Sequence, residues 1–76
     1  MVRAFVMVKT GAGRSEDTVE EIRAIDAVTE AHVVAGEFDV IAEVIADEVY
    51  DVLHTASSSI QGLDGAVDTK TYIALD

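Results

Sequence analysis

Hydrophobic and β-forming residues occupy most positions from Val2 to Lys9, on both alternating faces of the run. This pattern is typical of a strand that is covered on both sides. Gly11 and Gly13 end the run, and Ser15 follows as a candidate N-cap with acidic residues in the next turn. Hydrophobic residues then recur at helical spacing, at Val19, Ile22 and Ile25. The chain is therefore predicted to begin with a strand and a helix.

Two further β-rich runs, Val28 to Ala35 and Phe38 to Ile45, are separated by only Gly36 and Glu37. A two-residue connection that starts with glycine predicts a hairpin closed by a type II′ turn. In that register the core face carries the pairs Val33 with Val40, Ala31 with Ala42, and Thr29 with Val44. The opposite face carries Val34 with Asp39, His32 with Ile41, Glu30 with Glu43, and Val28 with Ile45.

A second amphipathic helix is predicted after Asp47, which is a candidate N-cap. Its continuous hydrophobic stripe comprises Val49, Val52, Leu53, Ala56 and Ile60. Gly62 suits the end of this helix, and the segment from Val67 to Leu75 is predicted to be the last strand. The order β-α-β-β-α-β predicts one α+β domain of the ferredoxin-like class, a four-stranded antiparallel sheet with both helices on one face.

The other face of this sheet is predicted to carry more hydrophobic side chains than a solvent-exposed face normally does. Its large hydrophobic residues are Phe5, Met7, Val34 and Ile41. A hydrophobic patch rimmed by charge is better explained by a second subunit than by water, so we expect a symmetric dimer through the sheets. In this register Glu30 would repel Glu43 unless a base lies between them, and the candidates are Arg3, Lys9 and Lys70.

Composition then narrows the classes of function. With 15 acidic and 5 basic residues the net charge is −10, which argues against nucleic-acid binding by this chain itself. A surface this acidic is also typical of proteins from high-salt habitats. The chain has no cysteine, no histidine pair at metal-binding spacing and no calcium-loop pattern, so we expect no metal and no cofactor. Without a long hydrophobic run or a signal-peptide pattern, we expect a cytoplasmic protein with no membrane contact.

Signals for an enzyme are weak. His32 and His54 are the side chains best suited to acid–base chemistry near neutral pH, but surface or interface positions explain both. The segment from Gly11 to Arg14 fits neither a P-loop nor a dinucleotide fingerprint, and Ser57 to Ser59 have no paired base in the sequence. A small dimeric ferredoxin-like enzyme, of the cofactor-free monooxygenase or isomerase type, is the alternative to a binding module. A ligand-free scaffold is a third hypothesis.

The segment from Ala35 to Asp39, A-G-E-F-D, is the strongest candidate for a binding site. The backbone N–H groups of a turn at Gly36 can receive a carboxylate, and the carboxylates of Glu37 and Asp39 can receive an ammonium group. This is the chemistry needed to hold a free amino acid. A hairpin turn with solvated acidic residues explains the same segment without a ligand.

With V-V-A-G-E-F-D-V-I-A-E-V in the middle and G-L-D-G-A-V-D-T-K-T-Y-I-A-L at the end, the chain resembles the effector-binding (RAM) domain of the Lrp/AsnC transcriptional regulators. The resemblance covers nearly all of the 76 residues. It implies the same fold, and dimers formed through the sheets that often assemble four at a time into an octameric ring. It also implies small effectors, typically amino acids, bound between dimers near the hairpin turn.

The resemblance assigns to this effector site Val34, Gly36, Glu37, Asp39, Ile41, Thr69 and Thr71. Thr69 and Thr71 would contribute hydroxyl groups from the last strand. Position 37 is commonly aspartate in the family and is glutamate here. Regulators of the family carry an N-terminal helix-turn-helix domain, which residues 1–76 do not contain. The resemblance therefore implies a stand-alone RAM domain that senses an amino acid and modulates a full-length Lrp/AsnC regulator by co-assembly.

Overall fold

A computed structural model describes all 76 residues as one antiparallel sheet with helices on one face. The strands are β1 (Val2–Thr10), β2 (Val28–Val33), β3 (Val40–Ala46) and β4 (Ala66–Ile73). The helices are α1 (Ser15–Arg23) and α2 (Val49–His54), and α2 continues directly into a π-helical segment (Thr55–Ile60). The strand order β2-β3-β1-β4 confirms the predicted ferredoxin-like fold.

The hydrophobic core lies between the sheet and the helices. The two central strands supply alternate, fully buried side chains, which are Ala4, Val6, Val8, Val40, Ala42 and Val44. The helical layer adds Val19, Ile22, Val52, Ala56 and Ile60. The intervening β1 residues Phe5 and Met7 remain partly exposed, because no element of the chain covers the other face of the sheet. The prediction that β1 is covered on both sides is therefore met on one side only.

The hairpin register is confirmed over most of β2 and β3. Val33 pairs with Val40, Ala31 with Ala42, His32 with Ile41 and Glu30 with Glu43, as expected from the alternation. The prediction is wrong at Val44, whose partner is Val28 instead of Thr29, because the register shifts between Val28 and Glu30. Thr29 drops out of the pairing, and its hydroxyl donates a hydrogen bond to the Glu43 carboxylate over 2.5 Å.

The connection between β2 and β3 is longer than the predicted two-residue turn. The strands end at Val33 and resume at Val40, and residues 34–39 form a loop in which the Val34 N–H donates to the Asp39 carbonyl over 2.8 Å. Gly36 has no positive φ, so the predicted type II′ turn is wrong. The cause is tertiary, since the Asp39 N–H donates to the Val8 carbonyl (3.0 Å) and holds the start of β3 on β1.

The N-caps of both helices and the burial of the hydrophobic stripe on α2 also differ from the predictions. Arg14 occupies the N-cap of α1 in place of Ser15, whose hydroxyl lies 2.8 Å from the Thr10 hydroxyl, and Glu48 occupies the N-cap of α2 in place of Asp47. Thr55 lies three residues after the buried Val52, on the same face of the helix, and joins the buried side chains. Of the predicted hydrophobic stripe, Val52, Ala56 and Ile60 are buried, whereas Val49 and Leu53 are 46% and 48% exposed.

The outer edge of β2 is partly closed by a side chain from α1. Arg23 donates a hydrogen bond from Nε to the Ala31 carbonyl over 3.0 Å and a second from Nη1 to the Glu20 carboxylate over 2.7 Å. The first of these bonds occupies a β2 carbonyl that faces away from β3. The edge strand is therefore tied to the helical layer as well as to the sheet.

A close contact between α1 and the turn before β4 leads to the first prediction. Gly65 is buried, and a Cβ atom there would collide with the hydroxyl of Thr18, which is buried without a hydrogen-bond partner. We expect Gly65→Ala to lower the free energy of unfolding by about 1 to 3 kcal/mol, because overpacking forces the backbone apart. Thr18→Ala removes the clashing hydroxyl, so the double variant should regain most of that loss in urea unfolding.

Gly36→Ala is the matched control, because a Cβ atom at Gly36 would meet nothing within 4 Å. It should unfold within about 0.5 kcal/mol of the parent protein. A Gly65→Ala loss that persists unchanged when Thr18 is alanine would contradict the contact.

Candidate functional site

The sheet face without helices, called here the open face, combines hydrophobic and charged side chains in two adjacent rows. One row runs across the strands through Lys70, Met7, Ile41 and His32, and the next through Tyr72, Phe5, Glu43 and Glu30. The hydrophobic members lie in the middle, on β1 and β3, and are partly exposed. The charged members lie mainly at the sides.

Loop 34–39, at one end of the open face, is anchored through Asp39. One carboxylate oxygen, Oδ2, accepts hydrogen bonds from the Thr10 N–H over 2.8 Å and from the Thr10 hydroxyl over 3.2 Å. The Thr10 hydroxyl is also 2.8 Å from the Ser15 hydroxyl at the start of α1. Asp39 therefore holds together the loop, the end of β1 and the start of α1, and its carboxylate has partners without any ligand.

The tip of the loop carries both an ammonium group and a carboxylate. Lys9 donates a hydrogen bond from Nζ to the Glu37 carbonyl over 3.2 Å, whereas the Glu37 side chain is exposed and forms no ion pair within the chain. Gly36 is exposed beside them. An ammonium group and a free carboxylate at one exposed turn can pair with the two charged ends of an amino acid.

Lys9 was not assigned to the binding site from sequence. The signal that could have found it is its position near the end of β1, the strand that lies beside β3 in the sheet. Its closeness to Glu37 depends on pairing between distant segments, and the separation of 28 residues in the chain gives no local pattern.

The structure places the other expected site residues on different faces. Val34 and Ile41 are partly buried, and Ile41 lies on the open face beside Met7. Thr69 and Thr71 pair with Val8 and Val6, whose side chains are fully buried, so both threonines lie on the helix side of the sheet. Thr69 there accepts a hydrogen bond from the Gln61 side chain over 2.6 Å. Within one chain, loop 34–39 and the two threonines do not form one pocket.

The two histidines lie apart. His32 is on the exposed part of β2, with Nε2 3.1 Å from the Glu30 carboxylate, and His54 stacks on the Tyr50 ring at a centroid distance of 6.2 Å in the helical layer.

One surface depression, of about 260 Å³, is lined by Arg23, Val28, Thr29, Glu30, Ala31 and His32. A second, of about 440 Å³, lies beside Val33 and the start of α1.

The structure contains neither a cluster of metal ligands nor a membrane-spanning helix. No three histidine, aspartate or glutamate side chains come together to bind a metal ion. Neither helix has the length and hydrophobicity needed to cross a membrane.

Comparison with known families decides the relationship of this chain. Residues 3–76 match the family model described as the Lrp/AsnC ligand binding domain. The protein belongs to this family. As an Lrp/AsnC ligand-binding domain it is a ligand-sensing regulatory module, which confirms the relationship expected from the hairpin and the last strand. A search of curated proteins gave no match.

Solved structures agree with this assignment of the Lrp/AsnC domain. FFRP-DM1 is 35% identical with a TM-score of 0.92, and the match covers 99% of this chain and 100% of that chain. TTHA0845 from Thermus thermophilus is 28% identical with a TM-score of 0.94, over 100% and 95% of the two chains. The transcriptional regulator NMB0573 from Neisseria meningitidis, in complex with L-Met, is 18% identical with a TM-score of 0.87. That match covers 99% of this chain and 50% of the regulator.

The anchoring of loop 34–39 leads to the second prediction. We expect Asp39→Ala to lower the free energy of unfolding by about 1 to 2 kcal/mol, because the partly buried Thr10 N–H loses its acceptor. Asp39→Asn keeps a side-chain oxygen acceptor and should lose less. Glu37→Ala is the control, since the Glu37 side chain is exposed and makes no ion pair in the chain, and it should stay within about 0.5 kcal/mol of the parent protein. Equal stability of the two alanine variants in urea unfolding would refute the anchoring role.

Proposed function

We propose that this domain senses a free amino acid and controls the assembly of a transcription regulator. The observation that carries the proposal is the pairing of the Lys9 ammonium with the Glu37 carbonyl at the exposed loop tip, next to the free Glu37 carboxylate. Lys9 would receive the α-carboxylate of the effector, and Glu37 would receive its α-ammonium group. The Lys9 ammonium is held at the loop tip by its bond to the Glu37 carbonyl, which supports this role.

The remaining site residues would bind other parts of the effector or hold the loop in position. The Gly36 backbone is exposed and can donate to the effector carboxylate, and Val34 and Ile41 offer a hydrophobic surface to its side chain. Asp39 would act by holding the loop, because its carboxylate already accepts hydrogen bonds from Thr10. The bound L-Met of the regulator NMB0573 supports an amino acid as the class of effector.

The open face supports self-association of the domain. Phe5, Met7 and Ile41 are partly exposed and Tyr72 is 55% exposed, so a dimer through the sheets would remove a contiguous hydrophobic surface from water. Octamers would then form from four such dimers, with the effector between them. In this assembly Thr69 and Thr71 would reach an effector only from a neighbouring copy, since they face the helices of their own chain.

These 76 residues are poorly suited to contact DNA themselves. The net charge of −10 opposes approach to a phosphate backbone. We assign DNA contact to groups outside these 76 residues, such as a full-length Lrp/AsnC regulator that co-assembles with this domain in the cytoplasm. Effector binding would then act by favouring one assembly over another.

The third prediction tests the effector. In a thermal-shift screen with the twenty L-amino acids, we expect one or a few to raise Tm. At a ligand concentration of 100 times Kd, binding should raise the free energy of unfolding by about 2.7 kcal/mol. Lys9→Met and Glu37→Gln should each abolish the shift, because each removes one of the two charges. Glu21→Gln, on the exposed surface of α1, is the control and should respond like the parent protein. A screen without any response, or a full response from Glu37→Gln, would rule out the proposed site.

The fourth prediction tests self-association. Sedimentation equilibrium should find dimers or their multiples, and association should strengthen as salt is raised, since each added copy brings a charge of −10 that salt screens. Met7→Lys places a charge in the middle of the open face and should shift the mass toward monomer. A monomeric parent protein at every salt concentration would remove the dimer from the proposal.

A further inference from the structure

Helix α2 carries an exposed hydrophobic patch in the helical layer of the molecule. Three of the eight exposed large hydrophobic side chains belong to this one short helix, and these are Val49, Tyr50 and Leu53. Val49 and Leu53 are four residues apart, so they share one side of the helix, and Tyr50, which is 74% exposed, lies next to them. The three residues are called here the α2 patch.

Three carboxylates border the α2 patch. Asp47 and Glu48 directly precede it in the chain, Asp51 follows Tyr50, and all three acidic residues are exposed. None of them forms an ion pair within the chain. The sequence has no lysine or arginine from residue 24 to residue 69, so no base close in the chain offsets these charges. The patch is therefore bordered by uncompensated negative charge.

This border of carboxylates limits what can cover the α2 patch. A second copy in a symmetric contact would add its own three carboxylates to these, and like charges brought together at an interface oppose association. Nucleic acids and anionic membrane surfaces would meet the same repulsion. Three hydrophobic side chains also bury too little area to hold a wholly hydrophobic partner, since stable interfaces bury about 1,200 Å² or more. A partner that combines a hydrophobic surface with positive charge meets both requirements.

We infer that the α2 patch docks an amphipathic helix of another protein, one whose hydrophobic face is flanked by lysine or arginine. Hydrophobic side chains of that helix pack on Val49 and Leu53, whose spacing of four residues forms a ridge suited to helix packing. Its basic side chains pair with the three bordering carboxylates. The exposed Tyr50 ring offers a further contact, because a lysine or arginine can lie over an aromatic face.

The α2 patch is separate from the residues of the proposed function. Loop 34–39 precedes β3 and α2 follows it, so the loop and the start of α2 lie at opposite ends of a seven-residue strand. At about 3.4 Å per residue, this strand separates them by roughly 20 Å. Val52 is fully buried in the core, and Tyr50, two residues earlier, lies on the opposite side of the helix, away from the sheet. A docked helix therefore leaves both the open face and the loop free.

The test is a titration of the ¹⁵N-labelled protein with a synthetic peptide, followed through the NMR chemical shifts of the backbone amides. The peptide has about 15 residues, with leucine at helical spacing on one face and lysine at the other positions. We expect saturable shifts centred on residues 47–54, and a Kd that rises as salt is raised, because salt screens the bordering charges. A peptide with glutamate in place of each lysine should give no such shifts.

Matched variants separate the α2 patch from the general acidity of the protein. Leu53→Ser and Tyr50→Ser remove hydrophobic contacts, and each should raise the peptide Kd about fivefold or more. Val67→Ser is their control, because Val67 is similarly exposed but lies on β4. Asp51→Asn should raise the Kd about threefold or more, whereas Asp17→Asn, the same change on the exposed surface of α1, should leave it within about twofold of the parent value.

Three results would overturn the inference. Shifts as large on the acidic surface of α1 as on α2 would reduce the binding to general charge attraction. An unchanged Kd in both Leu53→Ser and Tyr50→Ser would remove the patch from the contact. A lower mass of Leu53→Ser than of the parent protein in sedimentation equilibrium would show that a second copy covers the patch instead.

A variant of the effector site distinguishes this inference from the proposed function. Glu37→Gln should bind the peptide within about twofold of the parent protein, because loop 34–39 and α2 share no contact in the inferred docking. Loss of the amino-acid response with intact peptide binding would therefore leave the docking surface standing. Peptide binding that disappears in Glu37→Gln would contradict the separate surface.

Discussion

Helices cover only one face of this sheet, and the rest of the molecule depends on that constraint. The central strands β1 and β3 bury every second side chain against α1, α2 and the π-helical segment. Their other side chains, including Phe5, Met7 and Ile41, must stay partly in water or find cover on another molecule. The same alternation that builds the core thus also leaves hydrophobic side chains partly exposed on the other face.

Asp39 connects the candidate effector loop to this central architecture. Its carboxylate is bound to Thr10 at the end of β1, and Thr10 in turn contacts Ser15 at the start of α1. Movement of loop 34–39 on binding a ligand would therefore act directly on the sheet and on the first helix. A loop held only by a local turn would have no such connection.

The predictions from sequence succeeded where a period of two or of 3.6 residues controls the structure. The element order and most of the β2–β3 register follow from alternation, because a one-residue slip would move Ala31 and Val40 out of the core. The prediction of a tight turn at Gly36 was wrong, because the hydrogen bonds between Asp39 and β1 override local turn propensity. The face occupied by Thr69 depends on pairing with β1, and T-A-S-S-S-I has no pattern that indicates a π-helix.

The bond from Arg23 to the Ala31 carbonyl has a consequence for how copies of the chain can meet. An exposed sheet edge can add strands from other molecules without limit, which leads to fibres. At the β2 edge an incoming strand would first have to displace the guanidinium group. Strand addition at that edge of the sheet is thereby hindered.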